Sequence, residues 1–485
     1  MQQHTVTFQP GDLTVQVRHG DSLLQAQIAA GLHPDAPCGG KGTCGKCRAI
    51  LEGREVLACQ TAVDRGMTVY LKAERSLQIL SGGISAHTVP DGTDDYVLAF
   101  DVGTTTLVGY LLNGVSGVQM ASASCRNPQG QFGADVISRI QHALKEGGDV
   151  LSSCVRQALS DLTRFLCQTA GISPNAVTRA AIAGNTAMHH LLLQIDPKPL
   201  ITPPYMPAVS DALEVPAGEI LPIGGSIRIL PNIAGFVGGD TVSCMVSTRF
   251  DTREDLTLLI DIGTNGEMVL GNRHRRIACS TAAGPAFEGA KISCGMRGAE
   301  GAVDHVFSRD GGISCHVIGG TEARGLCGSG LLDLVAVLLD QGIISPTGRM
   351  QNKVFSLSER VSLTQKDVRE VQLAKAAIRA GIELMAQQLG VQISDIRTVW
   401  LAGAFGSYLD PRSACRIGLI PPELLDRITP IGNAAGEGAK LCALRRSEFD
   451  YSRRLARNTE FLELASLPQF QDQYIQRLNF SEDDE

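Results

Sequence analysis

Four thiols sit inside one short N-terminal stretch, at Cys38, Cys44, Cys47 and Cys59, spaced C-x5-C-x2-C-x11-C. Clustered thiolates bind soft metal centres. This spacing is close to the plant-type run that ligates a 2Fe-2S cluster, where a tight loop supplies three ligands and a later segment closes the site. A structural zinc site usually pairs two separate C-x2-C knuckles, and only one is present. The glycines of PCGGKGTCGKC favour iron and sulfur, because they let backbone N–H groups turn inward toward cluster sulfurs. An electron carrier is the first expectation. Lys41, Lys46 and Arg48 add positive charge beside these ligands, which suits an acidic redox partner and equally suits a solvated loop. Gly40 to Lys46 also reads G-x-x-x-x-G-K, the start of a phosphate-binding P-loop. Cys47, however, stands where Ser or Thr would ligate magnesium, and two positions of the run are cluster ligands, so that reading is set aside.

A second set of reactive residues comes as an internal repeat. YVLAFDVGTTTLVGYLL and LTLLIDIGTNGEMVLG each place an apolar strand before Asp-x-Gly-Thr and continue as another strand. Asp101 and Asp261 are equivalent. In such a turn Gly103 and Gly263 let the backbone approach a phosphate. Thr104, Thr105, Thr106, Thr264 and Asn265 offer hydrogen bonds to its oxygens, and the aspartates can hold Mg2+ or orient water. One such turn alone would pass for a hairpin. Two, about 160 residues apart and each after a buried-type strand, predict a nucleotide gripped from both sides. TVWLAGAFGSYLD opens an apolar strand into a loop in which Gly403, Ala404 and Gly406 could pack against a base or ribose. In GLCGSGLLDLVAVLLD, Gly328, Ser329 and Gly330 start an apolar helix whose free N–H groups would welcome an anion, although helix packing explains such glycines equally well. ITPIGNAAGEGAKLCAL has small residues at a strand-to-helix junction and suits a hinge between two lobes.

The elements that must position these residues follow from pattern. HTVTFQP and LTVQVRH alternate as a hairpin, DSLLQAQIAAG reads as a short capped helix and GMTVYLK as a closing strand, together a small β-grasp ferredoxin over 1–75. Residues 76–95 lack periodicity and are rich in Gly, Ser, Pro and Asp, the composition of a flexible tether. Beyond them short apolar strands alternate with longer helices, so the fold class is α/β. Its expected units are 96–255 and 256–470, with an acidic tail over 471–485 in which Ser481 to Glu485 is frayed.

The chain has 485 residues and a formal net charge of −7. That balance, with no long basic run, argues against nucleic-acid binding. No apolar run is long enough for a bilayer and no signal pattern opens the chain, so a cytoplasmic protein is expected. In that compartment the ten further cysteines, of 14 in all, are most simply reduced core residues. Cys279, Cys294, Cys315 and Cys327 could suggest a second cluster, but no two make a knuckle.

The order of phosphate loop, connecting helix, second phosphate loop, adenosine loop and connecting helix resembles the actin-like ATPase superfamily. NPQGQFGADVISRI, AGNTAMHHLLL, PNIAGFVGGDTVSC, GPAFEGAKISCGMRGAEGA, GLCGSGLLD, DVREVQLAKAAIRAGIELM and LAGAFGSYLDP narrow the likeness over nearly the whole chain. Together they are similar to the ferredoxin-bearing subfamily that reductively activates corrinoid proteins. The resemblance implies a two-lobed ribonuclease H-like body that binds ATP and Mg2+. It implies ATP-dependent passage of one electron from the 2Fe-2S cluster to cob(II)alamin, regenerating cob(I)alamin on a corrinoid protein or corrinoid-dependent methyltransferase. It further implies an upstream reductase or flavoprotein as electron donor, and it admits a homodimer that no residue here requires. Two departures bear on docking and electron route. The linker enters the first phosphate strand almost directly, without the middle segment of some longer relatives, and only Cys415 and Cys442 lie near the C-terminus, where others carry cysteine clusters.

Asp240, after Gly238-Gly239, and Glu288, in GPAFEG, are the further catalytic candidates, with Glu267 behind them. Asp240 reads equally well as a helix-starting residue. His189 and His190 invite a ligand role, but neighbours on a helix point apart and nothing else at ligand spacing accompanies them, so packing is expected. Met296 and Phe405 are expected to pack rather than touch a cofactor. Two other functions fit the same residues: a small-molecule kinase with a fused ferredoxin, or an ATP-binding redox sensor. The kinase lacks a recognisable sugar or acid pocket, and fold alone does not choose among the three.

Overall fold

Alternation in the first strand sets the N-terminal module. In β1 (Gln3–Gln9) Val6 and Phe8 are buried while Thr5 and Gln3 face out, and β2 (Leu13–Arg18) pairs with it antiparallel. The helix α1 (Leu23–Ala29) starts at a capping box in which Ser22 and Gln25 satisfy each other's backbone N–H groups. β3 (Arg48–Leu51), β4 (Arg54–Leu57) and β5 (Met67–Leu71) complete a five-stranded sheet in the order β2-β1-β5-β3-β4, with β1 and β5 parallel. This mixed sheet under one helix is the expected β-grasp. Its core of Val6, Phe8, Leu23, Ala49, Val63 and Val69 is separate from those of the rest of the chain. The computed structural model describes residues 2–9, 11–32, 34, 36, 40, 42, 47–71, 82–309 and 311–480. Cys38, Cys44, Lys41, Lys46, the linker residues 76–81 and Ser481 to Glu485 lie outside them.

The body is a repeat at the level of sheets. β6 (Tyr96–Val102), β7 (Thr106–Asn113) and β8 (Gln119–Arg126) form an antiparallel meander. β9 (Val177–Gly184) then lies parallel to β6, and a hairpin of β10 (Leu213–Pro216) and β11 (Ser226–Ile229) extends the sheet to the order β10-β11-β9-β6-β7-β8. The second lobe repeats the plan with β12 (Thr257–Ile262), β13 (Gly266–Gly271) and β14 (Arg276–Thr281). Strands Thr398–Ala402 and Ile428–Gly432 follow on the β12 side, each parallel to its neighbour. Consecutive residues of β6 and β12 are buried, so both faces of these strands are covered, which is why each reads as an unbroken apolar run rather than an alternation.

Two expectations change. The tether is not free over its described part. Gly83 bridges to Gly432, Asn433 N donates to Gly82 O at 2.9 Å, Ile84 N to Ile431 O at 2.8 Å and Ala86 N to Ser247 O at 2.7 Å. Residues 82–95 are thus a strap laid on the hinge strand of the second lobe, anchored at its far end by ion pairs of Arg179 with Asp91 and Asp94. Pairing of exposed backbone explains it: a Gly- and Ser-rich segment with free N–H groups completes a strand edge. The tail also begins later than 471. Pro468–Gln476 is helical, and Phe480 is buried in the core of the second lobe, with Lys375 Nζ bonded to Asn479 O.

Candidate functional site

Register brings the repeated loops together. Asp101 is the next-to-last residue of β6, opposite Val108 and Ala183, and Asp261 has the same place in β12, opposite Glu267 and Ala402. Their Gly-Thr turns open into a cleft of about 320 Å³ between the lobes, the size of a small-ligand site. The first turn is clamped by its own lobe. Asn127 Nδ2 donates to Gly103 O at 2.8 Å, Asn185 Nδ2 to Thr104 Oγ1 at 2.8 Å and the buried Arg139 Nη2 to Thr104 O at 2.6 Å. Asn185 caps the helix Thr186–Leu193 after β9, so the first lobe has its own counterpart of the Gly403 loop. That correspondence is faint in sequence, an Ala-Gly-Asn beside an Ala-Gly-Ala.

The cleft walls include Gly103, Thr104, Thr105, Thr106, Gly263, Thr264, Asn265, Gly328, Ser329, Gly403 and Ala404, with Asp101, Asp240, Asp261, Glu267 and Glu288. Gly330 and Gly406 are not among the lining residues. A Cβ on Gly330 would stand 2.2 Å from Val303 O, and one on Gly406 3.0 Å from Leu401 Cβ, so both admit close packing of their helices. Gly403, at φ +80°, takes a left-handed turn where a Cβ would stand 2.7 Å from Asp261 Oδ1, which lets the loop sit directly on that carboxylate. Phe405 and Met296, expected to pack, do border the cleft. Phe405 stacks on Phe287 at 5.1 Å between ring centres and 8° between planes. Asp240 joins both readings made of it, lying in the first turn of the helix Gly239–Thr248 and facing the cleft.

The electrostatics of the floor are one-sided. Burial and the neighbouring charge of Asp240 push the Asp101 carboxyl up to about 7, against a hydrogen bond from Asn433 Nδ2 at 3.0 Å. Burial, with Asp240 and Asp101 beside it, pushes Asp261 up to about 7; burial pushes Asp240 to about 6 and Glu267 well above the usual range. Arg297 is the one basic side chain among the described residues lining the cleft. Buried carboxylates crowded together are what a bound cation would neutralise. These groups hold protons more tightly folded than unfolded, where an aspartate titrates near 3.8. The stability they contribute is complete below about pH 4 and is lost as pH rises through about 7. With chelator present and no nucleotide, the melting midpoint should fall between about pH 4 and 7, and the fall should be shallower in Asp261→Asn. An equal slope in that variant would contradict the burial of the charge.

His189 and His190 lie inside the first lobe, away from the cleft lining. His190 Nδ1 is 2.8 Å from Thr186 O and its Nε2 accepts from Ala208 N, while His189 Nδ1 meets Asn232 Nδ2 at 2.5 Å, and burial drops the His189 ring to about 3. Both act as packing groups. Among the described residues no three metal-ligating side chains converge, Cys279, Cys294, Cys315 and Cys327 included. In the ferredoxin module Ala58 N donates to Cys47 O at 2.7 Å, which brings the Cys59 thiol within bonding reach of Cys47; burial raises the Cys47 thiol. Sequence reasoning passed over Arg297, Phe287 and Asn433. Asn433 alone left a signal, as the N-cap of the small-residue helix Ala434–Leu444.

A 2Fe-2S ferredoxin-type module joined to a two-lobed, nucleotide-binding ASKHA body is the class that fold and cleft define. Family models match in three parts: a 2Fe-2S iron-sulfur cluster binding domain over 6–64, the RACo middle region over 96–253, and the C-terminal ASKHA domain of RACo over 255–485. The chain belongs to the RACo family of corrinoid-activating proteins. It is 32% identical to the corrinoid activation enzyme RamQ of Eubacterium limosum, over 95% of this chain and 97% of that protein. It is 28% identical to the [Co(II) methylated amine-specific corrinoid protein] reductase of Methanosarcina barkeri, over 72% and 70%. A solved reductive activator for corrinoid, iron-sulfur protein superposes with a TM-score of 0.72 at 29% identity, covering 98% of each chain. No helix among the described residues is long and apolar enough to cross a membrane.

Proposed function

We propose that this chain couples ATP to the transfer of one electron from its 2Fe-2S cluster to the Co(II) of a corrinoid protein, restoring the Co(I) state needed for methyl transfer. The observation that carries the reading is the cleft itself: two Asp-x-Gly-Thr turns facing each other over a floor of buried, crowded carboxylates, in a chain that also carries the ferredoxin module.

The residues divide the work. Thr104, Thr105 and Thr106 from one lobe and Thr264 and Asn265 from the other donate to phosphate oxygens. Asp101 and Asp261 fit Mg2+, with Asp240 and Glu267 to hold its waters. No three carboxylates converge into a finished cage among the described residues, and Mg2+ at a nucleotide usually takes one or two carboxylates, with waters and phosphate completing its shell. Such an ion would neutralise the phosphates. The aspartate not holding it orients the attacking water. The Gly403 loop and the Phe287–Phe405 stack offer an apolar wall for the base. Cys38, Cys44, Cys47 and Cys59 hold the cluster, which supplies the electron.

Coupling follows from the hinge. Asn433 ties the Asp101 carboxylate to the strap, since its side chain donates to Asp101 and its backbone to Gly82 O. A two-state change from 1:99 to 99:1 takes about 5.5 kcal/mol of differential binding, which for one electron equals roughly 240 mV at about 59 mV per tenfold. An input of that size shifts the equilibrium of an uphill one-electron reduction by about 10,000-fold. A flavoprotein or reductase as upstream donor, a homodimer and a cytoplasmic setting complete the proposal. The test mixes dithionite-reduced protein with a Co(II) corrinoid protein, with and without Mg-ATP, and follows Co(I) by absorbance. ATP-dependent Co(I) formation is expected. ATP consumption that depends on a metabolite and ignores cluster redox state would point to the kinase instead.

A further inference from the structure

Glu288 spans the two phosphate turns. Its carboxylate accepts from Thr105 Oγ1 at 2.8 Å and from Thr264 Oγ1 at 2.9 Å, one threonine from each lobe. A hydroxyl has one proton to donate. Phosphate oxygens and Glu288 therefore compete for the same two donors, and two anions side by side repel. Gly289, at φ +73°, packs so closely on Met296 that a Cβ would stand 2.7 Å from its backbone N. The turn is thus held in place, and the Glu288 side chain is the part left to move.

A second, smaller cavity of about 50 Å³ shares these walls. Thr104, Thr105, Glu288 and Arg297 line it as well as the nucleotide cleft, and Arg126 and Arg139 complete its basic side. Glu288 is the one acidic side chain among its described lining residues. Arg139 is buried with its guanidinium on Gly133 O, Thr104 O and Gln129 Oε1, none of them a carboxylate. Pro34 and Ala36 of the ferredoxin module line the same cavity, and Ala36 precedes Cys38 by two residues.

We propose that Glu288 is a displaceable stand-in for phosphate that signals nucleotide occupancy to the ferredoxin module. When phosphate takes the two threonine hydroxyls, the carboxylate turns toward Arg139 and Arg297 and reshapes the wall that Pro34 and Ala36 share. This rests on the ATP-gated reading above and makes Glu288 a positioning residue, not one that touches the electron's path. Arg297 is its landing site.

Hydrogen exchange of the full-length, cluster-loaded protein tests it, reading the peptide that contains Leu32 to Ala36 with and without Mg-ADP, alongside nucleotide affinity. In the wild type, nucleotide should change exchange in that peptide. Glu288→Ala should bind nucleotide more tightly, by about tenfold for a charged hydrogen-bond competitor removed, yet lose the response at the ferredoxin. Glu288→Gln should lie between, and Arg297→Ala should bind nucleotide and also lose the response. Weaker binding by Glu288→Ala, or a wild-type response in Arg297→Ala, would overturn the proposal. A wild type that binds nucleotide and reduces corrinoid without any response at 32–36 would overturn this inference alone. A wild type that binds no nucleotide would remove the ATP-gated reading with it.

Discussion

Asp261→Asn is expected to lower ATP turnover by about 100-fold or more, the scale on which a positioned acid or base acts, and to abolish the ATP dependence of Co(I) formation while leaving the 2Fe-2S absorption unchanged. The argument rests on place. Asp261 is the next-to-last residue of a central strand, with Glu267 opposite it in register and the Gly403 loop pressed on its Oδ1. Asparagine has the same shape, so the loop keeps its seat. What goes is a charge that burial and two neighbouring aspartates oppose. The metal-free protein should for that reason melt higher than wild type at about pH 8, where the wild-type carboxylate is ionised. Gain of stability with loss of turnover is the pattern of a carboxylate kept for a ligand rather than for the fold. Turnover and Co(I) formation measured on one preparation, with its melting midpoint, check it. Equal Co(I) rates with and without ATP in both proteins would sink the coupling.

The parts legible in sequence were those carried by local pattern. β6 and β12 read as buried strands because both faces are covered, and Asp-Val-Gly-Thr and Asp-Ile-Gly-Thr then announce the same turn twice. The ferredoxin hairpin and the Ser22 cap were visible for the same reason. What escaped depends on residues far apart in the chain. Glu288 could be named as an acid, but its bonds to Thr105 and Thr264 exist only when the lobes face each other, 183 residues of sequence separating the first pair. Arg297 had no motif to mark it. The strap looked like a tether because glycine and serine carry no periodicity, and its strand-like pairing with Ile431 and Asn433 is a property of the partner's open edge. Gly330 and Gly406 sit beside the site in sequence and yet serve packing. A glycine admits a phosphate and a neighbouring backbone equally well, and only the surroundings decide.

Cys59→Ser should leave a folded protein that binds and hydrolyses ATP but passes no electron. A cluster ligand lost costs more than the 10- to 100-fold typical of the groups that merely support ligands, so Co(I) formation should drop by at least about 100-fold, together with the visible absorption of the 2Fe-2S centre. The structure gives the reason for expecting so clean a separation. Cys59 and Cys47 belong to a core made of residues 6–71, whereas the cleft and its carboxylates rest on other cores entirely. Cys59 is partly exposed in a short turn after β4, and its backbone neighbour Ala58 is fixed by the bond to Cys47 O, so serine fits without disturbing the sheet. Absorption spectra, iron content and ATPase rates of the variant, set beside Co(I) formation, decide the matter. Retained Co(I) formation in a variant that has lost its iron would mean that the electron travels by another route, and the ferredoxin module would then be a docking element instead of the source.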